Sequence, residues 1–204
     1  HENDEISRGG PVRVDRIGHR CARARPKIDA SELDAVILSH AHIDHSNDVN
    51  ILLGAMATPD LEGGDLFCSV ECIEGDEAVI LGYAQQPPRH IIRLQPQSTY
   101  RTGEVIFHTS PRHVHGMETY GFTFDLNNTK LSFVTDTDYS PQLADSYTDA
   151  DVLVLKVVRH QPVKNGNVQH LCVDDARKLI SDLKPELAIL THFGMTMLQA
   201  GPRH

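Results

Sequence analysis

The feature that most restricts how this chain can fold is a histidine-rich turn that directly follows an apolar run. Residues 33–38 read LDAVIL, and residues 39–45 read SHAHIDH. A continuous apolar run of this length between polar segments predicts a strand that is buried on both faces. The turn then places three imidazoles and one carboxylate at the end of a strand, where a rigid scaffold can bring side chains together.

The side chains of this turn are typical ligands of divalent metals. Zinc takes imidazole nitrogens at about 2.0–2.1 Å and carboxylate oxygens at about 2.0–2.2 Å, and a catalytic zinc keeps one position open for water. One ion cannot comfortably use all four groups of so short a turn. The spacing therefore predicts two neighbouring metals, with His40 and His42 on one ion and Asp44 and His45 on the other. The alternative is a surface patch of histidines.

Composition and charge limit the classes of protein to consider. The 204 residues are 40% hydrophobic, which predicts a single domain over residues 1–204, with residues 1–28 as an atypical polar, arginine-rich start. The net charge of −9 repels polyanions, so we do not expect extended nucleic acid as a partner. No apolar run approaches the roughly 20 residues of a membrane span, and no secretion signal is visible. We therefore expect a cytoplasmic protein without a membrane partner, and the sequence allows a homodimer.

Hydrophobic periodicity predicts strands that alternate with helices, which is an α/β fold. The continuous apolar runs indicate buried strands, and the 3.6-residue periodicity indicates helices on the outer faces of the sheets. The expected elements after the turn are a helix capped by Asn47 and ending near residues 58–59, short strands and turns in the middle, a hairpin turning at residues 127–128, a strand at 152–155, a helix at 174–183 and a last buried strand at 187–190.

The arrangement H-x-H-x-D-H at residues 40–45 resembles the signature of the metallo-β-lactamase-fold hydrolases. In this family a lone histidine follows, then an aspartate that bridges both metals, and then a histidine after the last core strand. His115 opens HGMETYGF and Asp136 lies in SFVTDTDY, two stretches similar to those of the ribonuclease Z and cyclic phosphodiesterase branches. His192 lies in LAILTHFG.

The resemblance implies an αββα sandwich, in which two facing mixed β-sheets carry helices on their outer faces. Only 39 mostly polar residues precede His40, and the chain stops soon after THFGMTML, so we expect this fold to be truncated at both ends. The resemblance also implies two divalent metal ions. Zinc is the first choice because of the many histidines, with manganese or iron as alternatives. The implied metal ligands are His40, His42, Asp44, His45, His115, Asp136 and His192.

Two of the implied ligands have rivals nearby. His108 and His113 lie close to His115 in the sequence, and only the match to HGMETYGF selects His115. Asp138 is two residues from Asp136, and we interpret it as a turn or capping residue. The cysteines Cys68 and Cys72 are interpreted as small buried hydrophobic residues and not as ligands.

The implied chemistry is hydrolysis by a metal-bound hydroxide, with Asp44 orienting the nucleophile as well as binding metal. His170 precedes the helix at 174–183, where related phosphodiesterases carry a histidine that contacts the scissile phosphate. It is therefore a candidate proton donor to the leaving alkoxide. The alternative is a solvent-exposed histidine at the start of a helix.

The substrate class follows less directly from the sequence. The surroundings of His115 and Asp136 favour phosphate esters, but ribonuclease Z ends the strand after its bridging aspartate in a histidine–glutamate pair, and this chain has Leu155 and Lys156. A long basic arm for gripping tRNA is also missing. We therefore expect a small phosphodiester or cyclic phosphate as substrate. The alternatives are a lactone, thioester or amide at the same site, or a non-catalytic family member that binds metal or a partner through its arginine-rich segment.

Overall fold

A computed structural model describes residues 29–57, 63–162 and 169–201 of the chain. Two β-sheets pack against each other, and helices lie on the outer side of each sheet. The predicted α/β sandwich is therefore confirmed. The arginine-rich start predicted for residues 1–28 lies outside the described residues.

The first sheet consists of three parallel strands in the order β1-β2-β3. The strand predicted at 33–38 is shorter than expected, and each of its residues is half-buried and not fully buried. The reason is that β1 is an edge strand of this sheet in the described part of the chain, so one of its sides has no neighbouring strand. The three strands are β1 (Ala35–Ile37), β2 (Asp65–Cys68) and β3 (Ile91–Arg93).

Two helices follow β1, where a single helix was predicted. The backbone N–H groups of His45 and Ser46 already donate to the carbonyl of His42, so the short helix α1 (Ile43–Ser46) begins inside the histidine turn. Asn47 ends α1 and does not cap the next helix, whose preceding residue is Asp48. That helix, α2 (Val49–Met56), buries Val49, Leu53 and Met56 against the first sheet.

The second sheet is mixed and follows the order β10-β8-β7-β6-β5-β4, with β9 beside β8. The hairpin predicted at residues 127–128 is confirmed, since Asn127 and Asn128 have φ values of 46° and 67° between β6 and β7. The strands are β4 (Thr99–Thr102), β5 (Val105–Thr109), β6 (Phe122–Leu126), β7 (Thr129–Val134), β8 (Val152–Arg159), β9 (Leu171–Cys172) and β10 (Leu187–Thr191).

The outer side of the second sheet is covered by helices α3 (Val173–Leu183) and α4 (Met195–Ala200). The predicted helix at 174–183 is confirmed, and it buries Ala176 and Leu179. The Asp175 carboxylate accepts a hydrogen bond from the Cys172 backbone N–H at 2.9 Å, which caps the start of α3.

The last strand was predicted to be buried, and this prediction is wrong. In β10 the side chains of Leu187, Ile189 and Leu190 are 52%, 42% and 37% exposed. The strand lies at one edge of the second sheet and pairs only with β8 among the described strands. An apolar run alone cannot distinguish a central strand from an edge strand.

The space between the sheets is filled by aromatic side chains. Phe67 of the first sheet packs against Phe107 of the second with ring centroids 5.1 Å apart, and Phe122 closes the same cluster. Cys68 and Cys72 are fully buried, as predicted. No helix in the described ranges is long and apolar enough to span a bilayer.

Candidate metal centre

Seven side chains from four separate segments converge at the edge where β1, β7 and β10 end. The carboxyl ends of neighbouring strands are where α/β sheets usually collect ligand-binding groups. The histidine turn follows β1, Asp136 lies two residues after β7, and His192 directly follows β10. His115 comes from the long connection between β5 and β6. We refer to these seven residues as the candidate metal centre.

The first group in the centre consists of His40, His42, His115 and Asp136. His42 Nδ1 lies 3.0 Å from His40 Nε2 and 3.0 Å from His115 Nε2. Asp136 Oδ2 lies 3.5 Å from His40 Nε2. Three ring nitrogens and one carboxylate oxygen thus face a common point.

The second group consists of Asp44, His45 and His192. His192 Nε2 lies 3.0 Å from Asp44 Oδ2 and 3.1 Å from His45 Nε2. Asp136 Oδ2 is 2.8 Å from His45 Nε2 and 3.9 Å from His192 Nε2, so the same oxygen borders both groups. This is the placement that a carboxylate shared by two ions requires.

Hydrogen bonds between the ligand atoms cannot account for all of their close contacts, whereas bound divalent cations would. His42 Nδ1 faces two other ring nitrogens at 3.0 Å, and one hydrogen cannot satisfy both contacts. Asp136 Oδ1 is buried and has no hydrogen-bond partner within the described ranges. Buried polar atoms are normally paired, so these contacts indicate a site built to hold cations.

The pKa shifts of His40, His115, His192 and Asp136 favour the protonation states of metal ligands. Burial, with a further contribution from His45, lowers the pKa of His40 to about 2. Burial likewise lowers the pKa values of His115 and His192. For Asp136, burial opposes ionisation, but the hydrogen bond from His45 and the charge of Lys156 outweigh it and lower the pKa of the carboxyl. Neutral imidazoles and an ionised carboxylate each offer a lone pair.

Three imidazoles of the centre, those of His40, His45 and His115, contact surrounding residues through their outward-facing nitrogens. His115 Nδ1 lies 3.1 Å from the carbonyl oxygen of Gln169, and His40 Nδ1 lies 3.0 Å from the Ser39 hydroxyl. Contacts of this kind orient metal-ligating imidazoles. His45 differs, because its Nδ1 lies 2.7 Å from the Nζ of Lys156.

The backbone of His192 is in the left-handed region, with φ at 62°. This conformation costs a residue with a side chain roughly 1–2 kcal/mol. Strain of this kind is concentrated at functional sites, where the surrounding structure holds it in place. At His192 it accompanies an imidazole that reaches both Asp44 and His45.

His170 lies beside the centre and not on an exposed helix start. Its side chain is 16% exposed, its Nδ1 is 3.9 Å from Asp136 Oδ1, and its ring is 5.3 Å from that of His115. Burial lowers its pKa, so the ring is neutral near pH 7. The ring therefore lies beside the candidate metal centre.

The residues that rivalled the implied ligands lie elsewhere. His108 pairs with Asp125 at the surface at 2.9 Å, and Asp138 is exposed and accepts a hydrogen bond from its neighbour's N–H. His113 is buried behind the centre, with Nε2 2.8 Å from the Tyr147 hydroxyl and Nδ1 3.3 Å from the backbone oxygen of Asp136. Sequence reasoning missed this supporting role, because His113 and Tyr147 are 34 residues apart and share no motif.

Comparison with known proteins agrees with the fold. Residues 13–193 match the family model of the beta-lactamase superfamily domain. The chain is 30% identical over 183 residues to the uncharacterized protein MJ1374 of Methanocaldococcus jannaschii. The match covers 84% of this chain and 66% of that protein, so the chain spans slightly less than two thirds of its relative's length.

Solved structures share the fold at low identity. The metallo-beta-lactamase fold protein YhfI from Bacillus subtilis is similar with a TM-score of 0.72 and 20% identity, covering 85% of this chain and 70% of YhfI. Human tRNase Z, short form, is similar with a TM-score of 0.67 and 14% identity, and the match covers 83% of this chain and 76% of tRNase Z. A diphosphatase of the PhnP family is similar with a TM-score of 0.65 and 18% identity, and the match covers 84% of this chain and 66% of the diphosphatase.

Proposed function

Since this chain belongs to the beta-lactamase superfamily, we propose that it is a metal-dependent hydrolase that cleaves small phosphodiesters or cyclic phosphates at a dinuclear site. The observation that carries the proposal is the position of Asp136 Oδ2, which borders two separate groups of ligand atoms. A site for one ion would not need a second set of convergent donors on the other side of this oxygen.

The proposed ligands divide along the two groups. His40, His42 and His115 hold one ion, and Asp136 contributes to both. The second ion is held by Asp44, His45 and His192. Two divalent cations bound here would lower the pKa of a water and neutralise charge on substrate oxygens. We propose zinc, with manganese or iron as alternatives, because imidazole suits all three metals.

The charge of the centre favours an anionic substrate. With neutral imidazoles, Asp44 and Asp136 contribute two negative charges, so two divalent cations would leave a net charge of about +2. This local charge attracts a phosphate even though the whole chain carries −9. A neutral lactone would gain less from the same field. Two structurally similar proteins are named a diphosphatase and a tRNase, which are enzymes of phosphate compounds.

We further propose that Asp44 orients the attacking water and that His170 donates a proton to the leaving oxygen. Asp44 is 58% exposed, so its carboxylate faces both His192 and the solvent from which water and substrate arrive. His170 is neutral in the free protein because burial lowers its pKa. An anionic phosphate beside the ring would raise that pKa toward the range in which a general acid works.

Metal analysis and a substrate panel test the proposal. The purified chain, prepared without chelators, is expected to contain close to two metal ions per molecule. It should hydrolyse bis(p-nitrophenyl) phosphate faster than a panel of lactones and thioesters, and activity should disappear with EDTA and return with zinc or manganese. If the purified chain bound no metal, the proposal of a metal-dependent hydrolase would be refuted. If lactones were hydrolysed faster than the phosphodiester, the proposed function would change from phosphodiesterase to lactonase, with the same metal centre.

The role of His170 has its own test. His170→Ala is expected to lower phosphodiester turnover by roughly 10²–10⁴-fold while the metal content stays intact. His90→Ala is the matched control, because His90 is an exposed imidazole that pairs with Asp65 at the start of β2, away from the centre. Unchanged turnover in His170→Ala, or equal losses in both variants, would refute the proton-donor role.

A further inference from the structure

Lys156 brings a positive charge to the inner side of the candidate metal centre. The residue lies on β8, where the parallel register pairs it with Thr191, directly before His192. Its Nζ lies 2.7 Å from Nδ1 of His45. The side chain of His45 is only 7% exposed, so this contact is made away from bulk water.

The hydrogen-bonding groups of the two side chains determine where the His45 hydrogen lies. A lysine ammonium has three donors and no acceptor. The contact is therefore a hydrogen bond in which Lys156 donates and His45 Nδ1 accepts. A neutral imidazole that accepts at Nδ1 carries its hydrogen on Nε2. That hydrogen points to Asp136 Oδ2, which is 2.8 Å from Nε2.

The first group of ligands has the opposite arrangement. His115 donates from Nδ1 to the carbonyl oxygen of Gln169 at 3.1 Å, which leaves the lone pair of Nε2 facing the centre. Metal-ligating histidines usually donate their outward N–H to a carboxylate or carbonyl in this way. His115 is thus ready to bind a cation, whereas His45 presents a hydrogen to the same space.

We propose that Lys156 makes the two halves of the centre unequal, so that the first group binds its cation tightly and the second group binds a cation only after Lys156 releases His45. The inference rests on the proposed dinuclear site and adds an order of loading to it. When a cation binds, the proton on Nε2 passes to solvent water and a proton from solvent is taken up at Nδ1, so the imidazole is neutral both before and after binding.

The structure provides room for Lys156 to move. A cavity of about 310 Å³ lies between the sheets and is lined by Lys156, His45, Ser39 and Thr135, together with aromatic side chains of the second sheet. The hydroxyl oxygens of Ser39 and Thr135 are acceptors for an ammonium that has left His45. The release therefore requires rotation of one side chain and no change in the strands.

Titration of the metal-free protein with zinc, in competition with a chromophoric chelator, tests the proposal. The wild-type chain is expected to bind one ion tightly and a second at least about tenfold more weakly, since partners of metal ligands typically change affinity by 10–100-fold. Lys156→Met removes the competing donor, and Lys156→Gln can place an amide oxygen as acceptor for Nδ1–H. Both variants should tighten the second ion by about tenfold and leave the first unchanged.

The control is Lys130→Met, since the Lys130 ammonium pairs with Asp149 at the surface and should leave both affinities unchanged. Nitrogen NMR of the metal-free wild-type chain should show the hydrogen of His45 on Nε2. Equal affinities for the two ions in the wild type, or an unchanged second affinity in both Lys156 variants, would overturn the inference. Unequal loading without phosphodiester hydrolysis would support it and refute only the proposed substrate class.

Discussion

Replacing His113 by leucine is expected to remove a loss of stability that the wild-type protein undergoes in acid. His113 is only 5% exposed and contacts the Tyr147 hydroxyl through Nε2 and the backbone oxygen of Asp136 through Nδ1. Burial lowers its pKa from 6.5 to about 4, because the charged imidazolium would lose its hydration. The folded protein therefore holds His113 in its neutral form.

The sign and size of the effect follow from this pKa. Above the unfolded-state value of 6.5 neither state binds the proton, so His113 does not make stability depend on pH. Below 6.5 the unfolded chain binds the proton first, and stability falls until the folded state also binds it near pH 4. At about 1.4 kcal/mol for each pH unit, the full loss is about 3 kcal/mol.

Urea unfolding of the metal-free protein in EDTA, measured near pH 7 and near pH 4, checks this expectation. Leucine does not titrate. On going from pH 7 to pH 4 the wild type should therefore lose about 3 kcal/mol more of its free energy of unfolding than His113→Leu does. His160→Leu removes an exposed imidazole and should follow the wild type. A difference between wild type and His113→Leu that stays constant over this range would refute the reasoning.

Three further substitutions test the packing around the site. Gly121→Ala places a Cβ 1.8 Å from the Tyr147 hydroxyl oxygen, and the displacement should cost roughly 1–3 kcal/mol and lower the melting temperature; an unchanged value would show that Tyr147 moves freely. Leu179→Ala removes a fully buried side chain of α3 and should cost about 2–5 kcal/mol in urea unfolding, whereas a cost below 1 kcal/mol would contradict the packing. Asp175→Ala removes the acceptor for the Cys172 N–H and should lower the free energy of unfolding by about 1 kcal/mol. An unchanged free energy of unfolding would show that this hydrogen bond does not stabilise the start of α3.

The local patterns of the sequence are sufficient for the fold class and for much of the candidate site. Three histidines and one aspartate lie within residues 40–45, so chain connectivity alone keeps them close together. The 3.6-residue spacing of α3 and the asparagine pair between β6 and β7 likewise depend on neighbours in the sequence. Predictions of this kind hold because the interactions that produce them are short-range.

Apart from the cap assigned to Asn47, the errors and omissions concern contacts between distant segments. Residues 187–190 have the composition of a buried strand, but their exposure depends on whether another strand lies beside β10. The contact of Lys156 with His45 spans 111 positions, and that of His113 with Tyr147 spans 34. Such contacts arise from the register of β8 against β10 and from the packing of the loops over the sheet. A shift of one residue in that register would turn the Lys156 side chain to the other face, so folding of the whole chain decides which groups surround the metal ligands.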